Sequence, residues 1–154
     1  MGDDGVGVRV IQELETRYQL PQNVSLVDGG TLGLALLPYF GADKKMLLVD
    51  AAELGERPGT VRMLQGEECI TQLDAPKSVH DLGLSDLLAA ARLTGCFPAE
   101  MIVWCVQPGA IQLGTELSKP VADRIGWLAQ EIARQLRSWG ADIRTQAKSG
   151  PAAR

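Results

Sequence analysis

The sequence predicts an α/β fold, a three-layer domain in which a mostly parallel, twisted sheet lies between layers of helices. Short apolar runs without alternation, such as MLLVDAA at 46–52 and MIVWCV at 101–106, are typical of strands buried on both faces. Around them lie segments with apolar residues every three or four positions, which indicate amphipathic helices. Strands that alternate with helices favour a parallel sheet.

The N-terminal half supplies two helices and two strands. Apolar residues four positions apart predict a helix over residues 6–19, which Pro21 ends. NVSLVDGG at 23–30 predicts a short strand closed by a turn, and TLGLALLPYF at 31–40 has helical spacing. The buried strand at 46–52 follows and stops just after an aspartate.

The C-terminal half continues the alternation. ERPGTVRML at 56–64 predicts a turn into a strand, and a polar loop then runs to about residue 80. LSDLLAAARL at 84–93 predicts a helix that precedes the second buried strand. The last predicted element is one long helix over 118–140, with Ser118 as its N-cap and Gly140 as its stop.

We expect one domain over residues 1–140 and a disordered tail over 141–154, where Lys, Ser, Gly, Pro and Ala accumulate. In doubly wound sheets the strand that comes first in sequence is usually interior. Here the first predicted helix begins at residue 6, so only the five residues MGDDG precede it. We therefore expect that the first strand of the sheet is missing at the N-terminus and that the natural protein begins upstream of Met1.

Composition narrows the function classes. The 154 residues carry a net charge of −4 with a pI of about 5.0 and no basic cluster, so neither nucleic acid nor a membrane is an expected partner. No run approaches the roughly 18 apolar residues of a membrane span. The three cysteines lack any C-x-x-C pairing, and no secretion signal is evident, so we expect a cytoplasmic protein.

Acidic side chains follow the predicted strands at one edge of the sheet. Asp28 and Asp50 end strands, and Asp3 and Asp4 would lie at the same edge if a strand preceded them. Carboxylates brought together repel one another unless a cation or a shared proton intervenes. His80, the only histidine, precedes a predicted helix. Two carboxylates and an imidazole would suit a transition-metal ion better than calcium or magnesium.

Simpler interpretations apply to each of these residues. Asp28, in DGG, has the chemistry of a turn former, and one of two neighbouring acids such as Asp3 generally faces solvent. A single histidine before a helix is often a surface residue. The glycines of the opening segment resemble a phosphate cradle, but the two carboxylates between them would repel a phosphate.

Five segments in order resemble one family, the hydrogenase maturation endopeptidases of nickel-iron hydrogenases. They are GDDGVGVRV, VSLVDGGTLGLALL, LLVDAAELGERPGTVRML, HDLGLSDLL and VQPGAIQLGTELS, and the resemblance covers about residues 1–140. It implies an endopeptidase that removes a C-terminal peptide from the nickel-loaded precursor of the hydrogenase large subunit. It also implies that Asp4, Asp50 and His80 contact the metal. Nickel would come with the substrate, without an organic cofactor.

The catalytic mechanism stays open between two routes. If His80 is a metal ligand, no histidine remains to activate a serine or cysteine, so a catalytic triad is not expected. The ion would polarise the scissile carbonyl and activate a water, or Asp4 or Asp50 would act as the general base. The peptidase would accordingly be metal-dependent or aspartic in type.

Two other classes fit part of the pattern. A phosphoacceptor receiver domain would use Asp3, Asp4 and Asp50, but it needs a lysine at the end of the last strand, where this chain has Gln107. It would also leave His80 without a role. The other class is a non-catalytic metal-binding module of hydrogenase maturation.

Overall fold

The computed structural model describes residues 2–30, 33–72, 81–109 and 115–147. A 3-10 turn, which we call the opening turn, leads directly into the first α-helix. In chain order the elements are the opening turn (Gly2–Gly5), α1 (Val6–Arg17), β1 (Tyr18–Gln19), a 3-10 helix (Gly33–Tyr39), β2 (Lys45–Ala51), β3 (Val61–Gln65), α2 (Glu68–Thr71), α3 (Asp81–Leu93), β4 (Glu100–Val106), α4 (Lys119–Ala122), α5 (Ile125–Ser138) and β5 (Arg144–Thr145).

The main sheet has the strand order β2-β4-β3. β2 pairs with β4 in parallel, whereas β3 pairs with β4 in antiparallel orientation. The α/β class is therefore confirmed. The described sheet is mixed, so the prediction of a mostly parallel sheet is not confirmed. β3 runs against its neighbours because residues 52–60, which connect it to β2, contain no crossover helix, and parallel pairing requires one or a connection of similar length.

The predicted three layers are present, and β4 separates the two outer ones. Ile102, Trp104 and Val106 belong to a core shared with α1 and α5. The intervening residues of the strand belong to a second core, shared with α3 and the 3-10 helix; they are Met101, Val103 and Cys105. This alternation of period two places one apolar cluster on each face of the sheet.

The two apolar strands differ in burial. Every residue of β4 after Glu100 is buried, whereas β2 is only partly buried along its length. β2 is less buried because, among the described residues, it pairs with a strand on one side alone, namely with β4. The predicted strand at 23–28 forms no ladder; Val24 and Leu26 instead pack against the core beside α1.

The long C-terminal helix of the prediction is divided in two. A turn at Asp123 and Arg124 separates α4 from α5. Ser118 does occupy the N-cap position of α4, but its side chain makes no capping hydrogen bond. Gly140 follows α5 with a φ of 94°, a left-handed conformation that glycine adopts without strain and that ends the helix.

The prediction of a disordered tail from residue 141 is wrong for residues 141–147. β5 pairs with β1, the side chain of Ile143 is buried, and its carbonyl oxygen accepts a hydrogen bond from Arg137 Nε at 3.0 Å. Gln146 Nε2 also donates to the carbonyl oxygens of Glu15 and Tyr18. A polar composition does not exclude order here, because the hydrogen bonds use backbone groups. The remaining residues of the predicted tail, 148–154, lie outside the described part of the chain.

In the described part of the chain, the structure contains no helix with the length and apolarity of a membrane span.

We expect one of the three thiols to react with Ellman's reagent in the native protein. Cys69 and Cys105 are fully buried, and burial raises the pKa of Cys69 to about 11, which keeps it in the unreactive thiol form at neutral pH. Cys96 is partly exposed. Stopped-flow labelling at pH 8 should therefore give one fast equivalent that Cys96→Ser removes, and three equivalents after denaturation. Two fast equivalents in the folded chain would contradict the packing described here.

Candidate active site

Asp50 lies near the carboxyl end of β2, at the edge of the sheet where ligands bind in open α/β folds. It stands opposite Cys105 in the parallel ladder, and its Oδ1 accepts a hydrogen bond from the Ala51 N–H at 2.9 Å. Asp50 alternates with Met46 and Leu48, which both pack in the core beneath α3. The carboxylate is thus partly buried and lies on the α3 face of the sheet.

The opening turn packs against β2. Val6, directly after the turn, is fully buried, and a Cβ atom on Gly7 would lie 2.7 Å from the carbonyl oxygen of Val49. The glycines of GDDGVG therefore serve close packing of helix on strand at Gly7. Asp4 is exposed at this edge. The opening turn thus lies against the strand that carries Asp50.

The carboxylate of Asp3 is held by hydrogen bonds within the protein. Its Oδ2 accepts hydrogen bonds from Gly109 N at 2.7 Å and Ser118 Oγ at 2.8 Å, and its Oδ1 accepts one from Ser118 N at 2.6 Å. Partial burial alone would raise the pKa of Asp3, but these bonds to the ionised form prevail and hold it below its ordinary value. The simpler interpretation, in which one of two neighbouring acids faces solvent, therefore applies to the exposed Asp4 and not to Asp3.

Gln107 organises the loop that follows Asp50. It is the buried polar residue at the end of β4, with 4% of its surface exposed. Its Oε1 accepts from the backbone N–H groups of Leu54 and Glu56, and its Nε2 donates to Glu53 Oε2 at 3.1 Å. From the sequence alone, Gln107 counted only against a receiver domain. A polar residue directly after six apolar ones was the available signal for this structural role.

α3 extends towards the same edge of the sheet. Its C-terminal end is fixed at the opposite edge, because Ala99, between α3 and β4, donates a backbone hydrogen bond to Lys44 O just before β2. At about 1.5 Å per residue, the 13 residues of α3 span roughly 20 Å, close to the length of β2. The N-terminal end of α3 therefore lies towards Asp50. His80 precedes Asp81, the first residue of α3, and itself lies outside the described residues.

Asp28 has the simpler of its two predicted roles. Its Oδ1 accepts a hydrogen bond from Gly30 N at 2.9 Å, the arrangement of an Asx turn. Within residues 2–30, 33–72, 81–109 and 115–147, no three His, Cys, Asp or Glu side chains form a group that could hold a metal ion. Because His80 is outside these ranges, the site of Asp4, Asp50 and His80 stays a prediction.

The fold and the position of Asp50 define a class of protein. It is the class of α/β proteins in which a carboxylate lies near the carboxyl end of a sheet strand. Comparison with known proteins then gives the family. Residues 8–135 match the family described as hydrogenase maturation protease, HycI. The chain is 35% identical over 143 residues to the hydrogenase expression/formation protein HupD of Rhodobacter capsulatus, covering 92% of this chain and 68% of that protein. It is 33% identical over 141 residues to the hydrogenase 2 maturation protease of Escherichia coli K12, covering 91% and 86%.

Solved structures give the same result. The hydrogenase maturating endopeptidase HybD from Escherichia coli superimposes with a TM-score of 0.88 at 32% identity, covering 97% of this chain and 93% of that one. The [NiFe] hydrogenase maturation protease HybD from Thermococcus kodakarensis gives 0.65 at 27% identity, covering 88% and 90%. The chain belongs to the hydrogenase maturation protease family, which confirms the resemblance. The receiver domain and the non-catalytic module are not supported.

Proposed function

We propose that this protein is the endopeptidase that removes the C-terminal peptide from a nickel-loaded precursor of a hydrogenase large subunit, in the cytoplasm. Membership of the protease family supports the reaction class. The observation that carries the proposal for the site is the contact of the opening turn, which contains Asp4, with β2, which contains Asp50.

Asp4, Asp50 and His80 are the proposed ligands of the substrate's nickel. Two carboxylates and one imidazole form a donor set of intermediate softness, which suits a first-row transition ion. The direction of α3 supports the inclusion of His80, since the helix that this residue precedes extends towards Asp50. The side chain of Asp4 is short, so the nickel would have to lie close to the backbone of the opening turn.

The proposed nucleophile is a water molecule. The chain has one histidine, and its use as a ligand leaves no imidazole to activate a serine or cysteine. Asp50 or Asp4 would accept the proton of the attacking water, while the cation would polarise the scissile carbonyl. Asp50 is the better candidate for the base, because it is the more buried of the two carboxylates.

This arrangement makes activity depend on nickel in the substrate. Carboxylates gathered at one edge repel each other, and a bound cation relieves this repulsion while it completes the site. The ion therefore acts as a signal that the precursor has been loaded. A protease that meets a metal-free precursor would lack the ion that polarises the scissile bond.

We expect the purified protein to cleave nickel-loaded precursor and to leave metal-free precursor intact. The measurement is the mobility shift of the large subunit on a denaturing gel, with mass spectrometry of the released peptide. Restoring Ni²⁺ to the metal-free precursor, under conditions that reload it, should restore cleavage. Equal rates on the loaded and metal-free forms would contradict nickel-dependent activation.

A further inference from the structure

We propose that Asp3 is a positioning residue that fixes the direction of its neighbour Asp4 towards the metal. This inference rests on the proposed function, in which Asp4 is a ligand. It concerns the opposite side of the opening turn, where Asp3 makes contacts that the proposed reaction does not use.

Asp3 joins the opening turn to two distant parts of the chain. Both carboxylate oxygens accept hydrogen bonds, one from Ser118 N and the other from Ser118 Oγ and Gly109 N, at 2.6–2.8 Å. Ser118 stands at the start of α4, and Gly109 lies three residues beyond β4. Hydrogen bonds to an ionised acceptor are the stronger kind, so three of them on one carboxylate hold the side chain in one orientation.

The surroundings of this carboxylate are closely packed. A Cβ atom on Gly109 would lie 2.8 Å from Ser118 Oγ and 3.3 Å from Asp3 Oδ2. The glycine therefore leaves room for the serine and the carboxylate and for little else. Close packing of this kind limits the movement of Asp3 and of the turn that carries it.

The geometry of the opening turn extends this restraint from Asp3 to Asp4. In a 3-10 turn successive side chains project roughly 120° apart, so Asp4 points away from the Ser118 side when Asp3 points towards it. The other end of the turn is held by Val6, which is fully buried. With both ends fixed, Asp4 has a defined direction although its side chain is exposed.

The test is a double-mutant cycle of Asp3→Asn and Asp4→Asn in the full chain, with Ni²⁺ alone as the probe in isothermal titration calorimetry. Asparagine has one acceptor oxygen, and its amide group would face donors that now meet a carboxylate. Removal of residues that orient metal ligands typically weakens affinity 10–100-fold. We expect D3N to weaken Ni²⁺ binding about 10-fold in the parent chain and to have no further effect in the D4N background.

Thermal unfolding separates this role from a purely structural one. We expect D3N to lower the melting temperature by a similar amount in both backgrounds, because its hydrogen bonds to Gly109 and Ser118 do not involve Asp4. All titrations are made well below that temperature. Ser118→Ala removes one of the three hydrogen bonds and leaves the two backbone donors, so it should cause a smaller loss of affinity than D3N.

Each outcome has a separate meaning. If D4N weakens Ni²⁺ binding but D3N does not, or if D3N weakens it equally in the D4N background, the positioning role is overturned and the proposed function stands. If D4N binds Ni²⁺ as the parent chain does, the ligand role of Asp4 is overturned, and the positioning role falls with it. The same cycle on kcat for nickel-loaded precursor should show the same non-additivity.

Discussion

Asp50→Asn should lower the rate of cleavage of nickel-loaded precursor at least about 100-fold, the lower end of what a ligand and general base contributes. Asparagine keeps an oxygen that can accept the hydrogen bond from Ala51 N–H but loses the negative charge and the basicity. The variant should therefore fold normally but lose its cleavage activity. Precursor should accumulate uncut in a time course on denaturing gels, and it should still bind the variant in a pull-down assay.

Asp43→Asn is the matched control for this prediction. Asp43 is an exposed aspartate just before β2, at the end of the strand opposite to Asp50. Its substitution removes the same charge from a position two residues before the strand that carries Asp50 and should leave the cleavage rate within about twofold. A D50N variant that processes precursor at the rate of D43N would contradict a catalytic or ligand role for Asp50. Loss of precursor binding in D50N would instead favour a role in recognition.

The position of Asp50 was predictable because it depends on local composition. An apolar run that ends on an acid predicts a buried strand with a polar terminus, and parallel neighbours bring such ends to one edge of a sheet. The periodicity of α1 was equally informative, since Val6, Val10 and Leu14 are all buried in the observed helix. Each of these inferences needs only the residues of a single element.

The features that sequence reasoning missed depend on partners far away in the chain. The hydrogen bonds of Asp3 reach residues 106 and 115 positions further on, so nothing local distinguishes Asp3 from Asp4. The orientation of β3 depends on the path of its connection, which residue types do not specify. The order of residues 141–147 depends on β1, which offers a two-residue partner at Tyr18 and Gln19.

The segment 23–28, which was predicted to be a strand, also shows that distant partners determine local structure. Its residues have strand-forming character, but a strand exists only where a neighbour supplies hydrogen-bonding partners. In the described chain these residues pair with no strand and contribute side chains to the core instead. Strand propensity therefore identified a segment whose side chains pack in the core. Whether the segment formed a strand depended on pairing with a neighbouring strand.

Gly7 connects the packing of the fold with the candidate site. It lies in the first turn of α1, where alanine would normally improve helix stability by roughly 1 kcal/mol. In this position the added Cβ atom would lie 2.7 Å from the carbonyl oxygen of Val49. That oxygen belongs to the backbone of β2 and cannot rotate away as a side chain would. The cost of overpacking, typically 1–3 kcal/mol, therefore competes directly with the helical gain.

We expect Gly7→Ala to lower the free energy of unfolding by up to about 2 kcal/mol, because α1 must move away from β2 to accommodate the methyl group, and this cost exceeds the helical gain. Gly83→Ala is the matched control, since Gly83 also lies in the first turn of a helix, but no atom of the described residues lies within 4 Å of the added one; there the free energy should rise by up to about 1 kcal/mol. Urea unfolding followed by circular dichroism measures both. Equal stabilisation by the two substitutions would contradict the close contact of α1 with Val49. Because the displaced helix carries the opening turn with it, G7A should also slow precursor cleavage at temperatures at which the variant remains folded.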